Sequence, residues 1–291
     1  MRRLLRKCYR VFRRIWRLIT NEDAKAEAYI DTFIAAMNGK ARQLGVDHPL
    51  FTDPSGYYCR DARVSAHDML IIFGHSLDNA HILEFLKTKD YSIDIAGIKR
   101  RTKKIETTVK SADFDEGAYP IIAGKTGTYP DHAFNLLMLT RINSGRLLAC
   151  SILGSPSDED RWKDAFSIVR YAERVLEGED AALQVSAASF EVCEYPSMRP
   201  VAAGSPEVGV SPASLTKVLT ALTAIDYVDD WNQRLTIHQS DVLRGSGNNL
   251  RDGDVVTVRD LFYDMLLPSS NSAARALARF VGRKMNKAKT N

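Results

Sequence analysis

Three short polar motifs, separated by long stretches of chain, constrain the fold most strongly. They are Lys125-Thr126-Gly127, Ser214-Leu215-Thr216-Lys217 and Ser269-Ser270-Asn271. Together they contain a hydroxyl nucleophile, two amines and a carboxamide, which are groups that acyl transfer to a serine can use. Acting as one site requires that they surround a single peptide carbonyl. The fold must therefore bring distant parts of the polypeptide into one pocket.

Ser214 and Lys217 have the spacing of a nucleophile and its base. Residues three apart on a helix lie on one face, so the lysine amine can take the serine proton. The apolar residues 215, 218 and 219 would desolvate the amine and favour its neutral form. A serine at a helix start also places free backbone N–H groups near a reacting carbonyl, as an oxyanion hole requires. The alternative is a capping serine followed by a solvated lysine.

The second motif supplies a proton carrier and a hydrogen-bonding amide. Ser269 would pass a proton to the leaving nitrogen, and Asn271 would bind the substrate amide. Ser246-Gly247-Asn248 has the same S-x-N spacing, but it lies in a glycine-rich stretch between turn signals. The segment 269–271 is flanked by two predicted helices that can hold it rigidly, so we favour it. The alternative role is helix capping alone.

The third motif predicts a substrate-binding strand. Lys125, Thr126 and Thr128 offer a cation and two hydroxyls, and Gly127 allows a substrate backbone to approach closely. An extended peptide could add to the strand and place a terminal carboxylate against these groups. The alternative is an ordinary turn.

Composition excludes several classes of function. The chain has 291 residues, 45% of them hydrophobic, and a formal net charge of +4. Eight of its 40 Lys and Arg residues lie between residues 2 and 17, and the remainder has 32 bases against 36 acids. A mildly acidic body argues against nucleic-acid binding, which needs a basic face. The scattered cysteines support neither a zinc site nor a redox motif, and no cofactor or metal is predicted; they are Cys8, Cys59, Cys150 and Cys193.

Residues 1–20 predict a basic amphipathic helix. On a helical projection the Arg and Lys residues fall on one half and the apolar residues on the other. Such a helix can lie on an anionic membrane surface. The alternatives are a helix packed on the body or a disordered basic arm. We find no secretory signal, because the apolar runs in this segment are too short. The apolar half consists of Leu4, Leu5, Cys8, Tyr9, Val11, Phe12, Ile15, Trp16, Leu18 and Ile19.

Hydrophobic periodicity and turn residues predict a mixture of helices and strands. Ser65 is predicted to cap a helix, and Pro54 and Gly56 mark a tight turn. The polar break at 177–180 predicts an internal joint. Further helices are predicted over 22–38, 161–176, 212–227, 259–267 and 270–281. Strands are predicted within 99–110 and over 133–140, 146–153, 183–192 and 255–258.

With these motifs in place, the chain resembles the D-alanyl-D-alanine carboxypeptidases of the low-molecular-mass penicillin-binding proteins, peptidase group S11. The resemblance extends to Met37-Asn38-Gly39-Lys40-Ala41 and to residues 51–56 and 266–274. It implies an α+β transpeptidase fold of the β-lactamase and penicillin-binding-protein type, with an antiparallel sheet flanked by helices plus a helical lobe. It also implies acyl-enzyme chemistry on peptidoglycan stem peptides, inhibition by β-lactams, and a place on the outer face of the cytoplasmic membrane.

The order of the motifs differs from that family, where the serine-lysine motif comes first and Lys-Thr-Gly last. Residues 184–282 resemble the first half of the peptidase domain and 21–176 the second, so the chain resembles a circular permutant. The joint is 177–183, and 283–291 is predicted as a polar, frayed tail. A joint too short for one chain would give a domain-swapped homodimer. A gene assembled from pieces of tandem copies is the alternative.

Two other functions remain open from the sequence. Class A β-lactamases deacylate with a glutamate in an ExxxN motif, which this chain lacks. A catalytically idle envelope protein could keep the fold and use the basic helix to bind membrane or a partner.

Overall fold

The structure, a computed structural model, describes residues 2–47, 50–57, 62–109, 119–129, 133–247 and 249–290, with side chains between residues 23 and 288. The helices are α1 Arg2–Gln43, α2 Ala66–Asp78, α3 Ala80–Lys87, α4 Asp158–Leu176, α5 Thr216–Ile225, α6 Val258–Leu266 and α7 Asn271–Thr290. The strands are β1 Asp90–Gly97, β2 Arg101–Glu106, β3 Ile121–Tyr129, β4 Ala133–Arg141, β5 Leu147–Ser155, β6 Ser189–Tyr195, β7 Arg199–Gly204, β8 Arg234–Thr236 and β9 Asp254–Thr257.

A five-stranded antiparallel sheet in the order β3-β4-β5-β6-β7 forms the centre of the molecule. Successive residues of β4 point to opposite faces, as the two-residue period of a strand requires. Leu136 and Met138 therefore pack with α4, whereas Leu137 and Leu139 belong to the larger core on the other face. Strand β3 lies at one edge of this sheet.

The larger core joins the sheet to a helical lobe. Helices α1, α5, α6 and α7 bury apolar side chains in this core, and α2 lies between the lobe and the sheet. Ser65 caps α2 as predicted, accepting a hydrogen bond from the backbone N–H of Asp68. A second, four-stranded sheet in the order β2-β1-β9-β8 lies beside the lobe. The predicted α+β class, with an antiparallel sheet flanked by helices plus a helical lobe, is confirmed.

Several predicted boundaries shift by a few residues in the structure, and three differ more. Helix α1 runs without a break from Arg2 to Gln43, so residues 1–20 do not form a separate helix. The predicted frayed tail is helical to Thr290, because it packs on neighbouring elements: Met285 is buried and Lys284 pairs with Asp229. The strand predicted over 183–192 begins only at residue 189.

The two halves of the chain are joined within one sheet. Strands β5 and β6, which lie on either side of the joint, are antiparallel neighbours. The buried carboxylate of Asp164 accepts hydrogen bonds from Ser155 and Ser186 and so ties the end of the joint to α4 and β5. One chain thus supplies every strand of this sheet. Circular permutation and the swapped dimer stay predictions from the motif order.

Candidate active site

Ser214 and Lys217 lie at the start of α5, where the predicted spacing brings them into contact. Ser214 belongs to a short 3-10 turn, Ala213–Leu215, that leads directly into the helix. The Nζ of Lys217 is 2.8 Å from the Oγ of Ser214. Lys217 is fully buried, whereas Ser214 is partly exposed and open to a substrate.

Two further oxygens surround the amine of Lys217. The backbone carbonyl of Ser55 lies at 2.7 Å and the Oδ1 of Asn271 at 2.9 Å. Both oxygens can only accept hydrogen bonds. A neutral amine would donate its two N–H groups to them, which leaves its lone pair for the hydroxyl of Ser214. The geometry thus prepares Lys217 to accept the serine proton.

The turn at residues 51–57 builds the wall behind Lys217. Asp53 accepts hydrogen bonds from the backbone N–H groups of Ser55 and Tyr57, and this shapes the turn. Gly56 has φ +73°, and a Cβ there would lie 1.9 Å from the carbonyl oxygen of Ala213. Only glycine fits this contact. The sequence predicted the turn from its Pro and Gly but gave no sign that the Ser55 carbonyl would bind Lys217.

Ser269 and Asn271 reach the two buried lysines. The Oγ of Ser269 accepts a hydrogen bond from Lys125 at 3.0 Å, and Asn271 contacts Lys217. Ser269 has φ +66°, a left-handed conformation that turns the chain sharply between α6 and α7. The rejected motif at 246–248 plays a different part: the Ser246 carbonyl accepts from the backbone N–H of Asn271, and residue 248 lies outside the described residues.

Lys125 is fully buried on β3, next to two other cations. Burial lowers its pKa well below the ordinary value, and repulsion from Lys217 and Arg161 adds to the shift. Its Nζ donates to the carbonyl of Thr126 at 2.8 Å and to Ser269. A lysine that readily exists as a neutral amine can exchange protons with a neighbouring hydroxyl.

The rest of the third motif faces the Ser214 segment and an arginine that the sequence analysis missed. A Cβ on Gly127 would lie 2.8 Å from the carbonyl oxygen of Pro212, so the strand passes directly beside Ser214. The exposed Thr128 accepts a 3.3 Å hydrogen bond from Arg161, a buried residue of α4 that also pairs with Asp158. No sequence signal identified Arg161, because its contact with the strand is tertiary.

Thr108 is a second residue that the sequence analysis missed. Its hydroxyl lies 2.6 Å from the hydroxyl of Thr126, and its backbone N–H donates to the carbonyl of Leu267. It therefore links the strand of the third motif to the segment that precedes the second motif.

The described contacts thus bring Lys125, Ser214, Lys217, Ser269 and Asn271 into one connected cluster, with Thr126, Gly127 and Thr128 along its edge. The cluster contains a serine with an adjacent amine, a second amine–hydroxyl pair formed by Lys125 and Ser269, and the guanidinium of Arg161 near Lys125. This arrangement suits nucleophilic attack on a carbonyl whose neighbouring group is negatively charged.

Comparison with known families gave one match. A family model for D-alanyl-D-alanine carboxypeptidase, peptidase S11, matches residues 26–156 and 176–287. These two segments cover most of the chain and contain all three motifs. Neither curated proteins nor solved structures gave a match.

The glycine at position 56 gives a test of the site's architecture. Gly56→Ala should lower the free energy of unfolding by about 3 kcal/mol or more, since it adds a backbone clash to a left-handed conformation. Gly145→Ala is the matched control, because Gly145 has φ +83° with nothing within 4 Å of an added Cβ. Gly145→Ala should lower the free energy of unfolding by only about 1 kcal/mol. Equal losses in denaturant unfolding would show that Gly56 does not need to approach Ala213.

Proposed function

Because the chain belongs to the D-alanyl-D-alanine carboxypeptidase family, peptidase S11, we propose that it cleaves the terminal D-Ala-D-Ala bond of peptidoglycan stem peptides through an acyl-enzyme on Ser214. The family is one of hydrolases, and the activity class follows from membership. The observation that supports Ser214 as nucleophile is the Lys217 amine at 2.8 Å, held by Ser55 and Asn271.

Acylation begins when the Oγ of Ser214 attacks the carbonyl of the penultimate residue. Lys217 takes the hydroxyl proton, and the backbone N–H of Ser214 stabilises the developing oxyanion. The peptide C–N bond then breaks. The leaving amine of the terminal D-alanine receives a proton from Ser269, and Lys125, at 3.0 Å, supplies the proton that Ser269 has given away.

Hydrolysis of the ester uses Lys217 as the base again. Lys217 first passes the proton that it took in acylation back to Lys125, which restores both amines to their starting states. The neutral Lys217 then takes a proton from a water molecule, the resulting hydroxide attacks the ester carbonyl, and the C–O bond to Ser214 breaks. The serine oxygen recovers a proton from Lys217. The shortened stem peptide leaves with a new carboxylate.

The edge position of β3 supports binding of an extended peptide. An edge strand has unpaired backbone groups to which another strand can add. The peptide's terminal carboxylate would meet Thr126, Thr128 and the cations Lys125 and Arg161 at the end of this strand. Arg161 already pairs with Asp158, whose side chain is largely exposed, so the substrate carboxylate would compete with Asp158 for the guanidinium.

A labelled penicillin tests the acyl-enzyme, since a β-lactam that acylates the nucleophile leaves a covalent adduct. We expect an adduct on Ser214 that is lost in Ser214→Ala and Lys217→Ala. Ser246→Ala is the matched control, because it removes the other S-x-N serine, and it should keep the adduct. Thermal unfolding establishes that each variant is folded. Folded wild-type protein without an adduct would refute the proposal, and sedimentation of the labelled protein separates monomer from swapped dimer.

The role of Arg161 can be tested with two substrates. Arg161→Gln should lower kcat/KM for a peptide ending in free D-alanine by roughly 10- to 100-fold, the value of a hydrogen bond to a charged group. For the same peptide with an amidated C-terminus, kcat/KM should fall little. Arg170→Gln, an exposed arginine on the same helix, is the control. An equal loss for both peptides would mean that Arg161 does not bind the carboxylate.

The membrane contact of residues 1–20 is a further part of the proposal, as is a place on the outer face of the cytoplasmic membrane. The described residues include no helix long and apolar enough to cross a bilayer. The eight cations and segregated apolar half of residues 1–20 support binding at the surface.

Deleting residues 1–20 should abolish sedimentation with vesicles containing anionic lipid, while acylation by penicillin continues. Neutral vesicles, which lack the electrostatic attraction, serve as the control. Unchanged sedimentation of the shortened protein would contradict the membrane contact.

A further inference from the structure

Asp264 is a buried carboxyl group behind the second motif, and the reaction described above does not use it. It lies on α6, is fully inaccessible to solvent, and accepts a 2.7 Å hydrogen bond on Oδ1 from the side chain of Asn249. Its Oδ2 makes no close hydrogen bond to a described residue, although the Ser270 hydroxyl lies near enough to favour the ionised carboxylate. Its backbone carbonyl accepts from the N–H of Ser270, so the same residue also contacts the motif itself.

Asn249 follows a segment that contacts the second motif. We call this segment, residues 243–247, the glycine loop; residue 248, which stands between the loop and Asn249, lies outside the described residues. The Arg244 carbonyl accepts from the Nδ2 of Asn271 at 3.2 Å, and the Ser246 carbonyl accepts from its backbone N–H at 3.3 Å. A Cβ on Gly247 would lie 2.5 Å from the Cα of Ser270, so the loop rests directly on the motif.

These contacts connect Asp264 to the reacting serine. The glycine loop holds both the side chain and the backbone of Asn271, and the Oδ1 of Asn271 lies 2.9 Å from the Nζ of Lys217. Lys217 in turn contacts Ser214. A shift of the loop would therefore move Asn271 and change how Lys217 is oriented towards the serine hydroxyl.

We propose that Asp264 is a positioning residue: its carboxylate, through Asn249, holds the glycine loop against the Ser269-Ser270-Asn271 turn and so fixes Asn271 on Lys217. The proposal rests on the proposed function, because its effect on rate is an effect on acylation of Ser214. Asp264 does not touch the substrate and acts only through its neighbours.

The charge of Asp264 strengthens its hydrogen bond with Asn249. Burial of that charge is also unfavourable for folding. An ionised carboxylate accepts a stronger hydrogen bond than a neutral carboxyl group does. Burial, however, raises the pKa of Asp264 to about 6, against the opposing effect of Asn249 and Ser270, and the nearby charge of Asp260 raises it further. Among the described residues, Asp260 is the charged group that acts on it from its own helix, while Asn249 and the turn present an amide and a hydroxyl.

The raised pKa makes the effects on stability and on rate opposite in sign. A carboxyl group whose pKa is higher in the folded state than in the unfolded chain stabilises the protein below its ordinary pKa, and this contribution is lost as pH rises through the folded value. For Asp264 the loss is complete above about pH 6. The same ionisation strengthens the contact with Asn249. A residue with only a structural role would change stability and leave the acylation rate of the folded protein unchanged.

The experiment uses Asp264→Asn in the full chain, with labelled penicillin as the probe. The variant imitates the neutral carboxyl group at every pH. The ratio of wild-type to variant acylation rate should be near one at pH 5 and should rise to roughly tenfold at pH 8, with its midpoint near pH 6. Wild type and variant contain the same lysines, so the effect of lysine titration on the acylation rate cancels in this ratio.

The substitution Asp264→Asn should increase stability at the pH at which it slows acylation. At pH 8 the folding equilibrium constant of Asp264→Asn should exceed that of the wild type by up to roughly a hundredfold, and the two should converge in acid. Asn249→Ala should slow acylation at pH 8 without this gain, because it leaves the carboxylate buried and without its donor. Asp164→Asn, at a buried carboxylate away from the motifs, is the control and should leave acylation unchanged.

Hydrogen exchange provides a measurement that does not depend on activity. At pH 8 the amides of the glycine loop and of residues 269–273 should exchange faster in Asp264→Asn and Asn249→Ala than in the wild type. If wild type forms no adduct but this difference is present, the proposed function fails and the positioning role stands. A rate ratio that does not vary with pH, or unchanged exchange in both variants, would overturn the positioning role.

Discussion

The structure depends on the burial of two lysine side chains in one pocket. Lys125 and Lys217 are both fully buried, and both donate to neutral oxygens: Lys125 to the Thr126 carbonyl and the Ser269 hydroxyl, Lys217 to the Ser55 carbonyl and the Asn271 amide. Two adjacent ammonium ions in such a place would be strongly unfavourable, because burial and mutual repulsion both penalise the charged form. The pocket therefore favours at least one neutral amine, which is the form that can act as a base. The surrounding turns place those neutral oxygens with positive φ angles, which cost nothing at Gly56 and are unfavourable at Ser269.

Much of this arrangement could be predicted where it depends on local spacing. The three-residue interval between Ser214 and Lys217 places them on one helical face, and the apolar runs 133–140 and 146–153, joined by a turn signal, identified two of the central strands. The remainder depends on contacts between distant residues. Arg161 meets Thr128 because α4 packs across the sheet, and a backbone carbonyl such as that of Ser55 has no signature in the sequence. The C-terminal residues looked polar and frayed, yet they are helical because Met285 is buried and Lys284 pairs with Asp229.

The site combines residues from both halves of the chain. Asn38 on α1 exchanges two hydrogen bonds with the backbone of Phe51, which positions the turn against α5. Asn271 and Lys217 come from the other half of the chain. The site is thus built across both halves, and each half supplies groups that the other lacks. A pocket of this kind requires that its elements be neighbours in space, whichever peptide bonds join them.

The unbroken course of α1 has a mechanical consequence. From residue 23 onward the helix is part of the core, with Ile30, Phe33 and Met37 buried in it. The preceding helical turns, residues 2–22, extend roughly 30 Å at 1.5 Å per residue. Whatever surface holds those turns therefore sets the height and tilt of the whole body above it. Because these turns continue directly into a core helix, any displacement of them would be transmitted to the body as a whole.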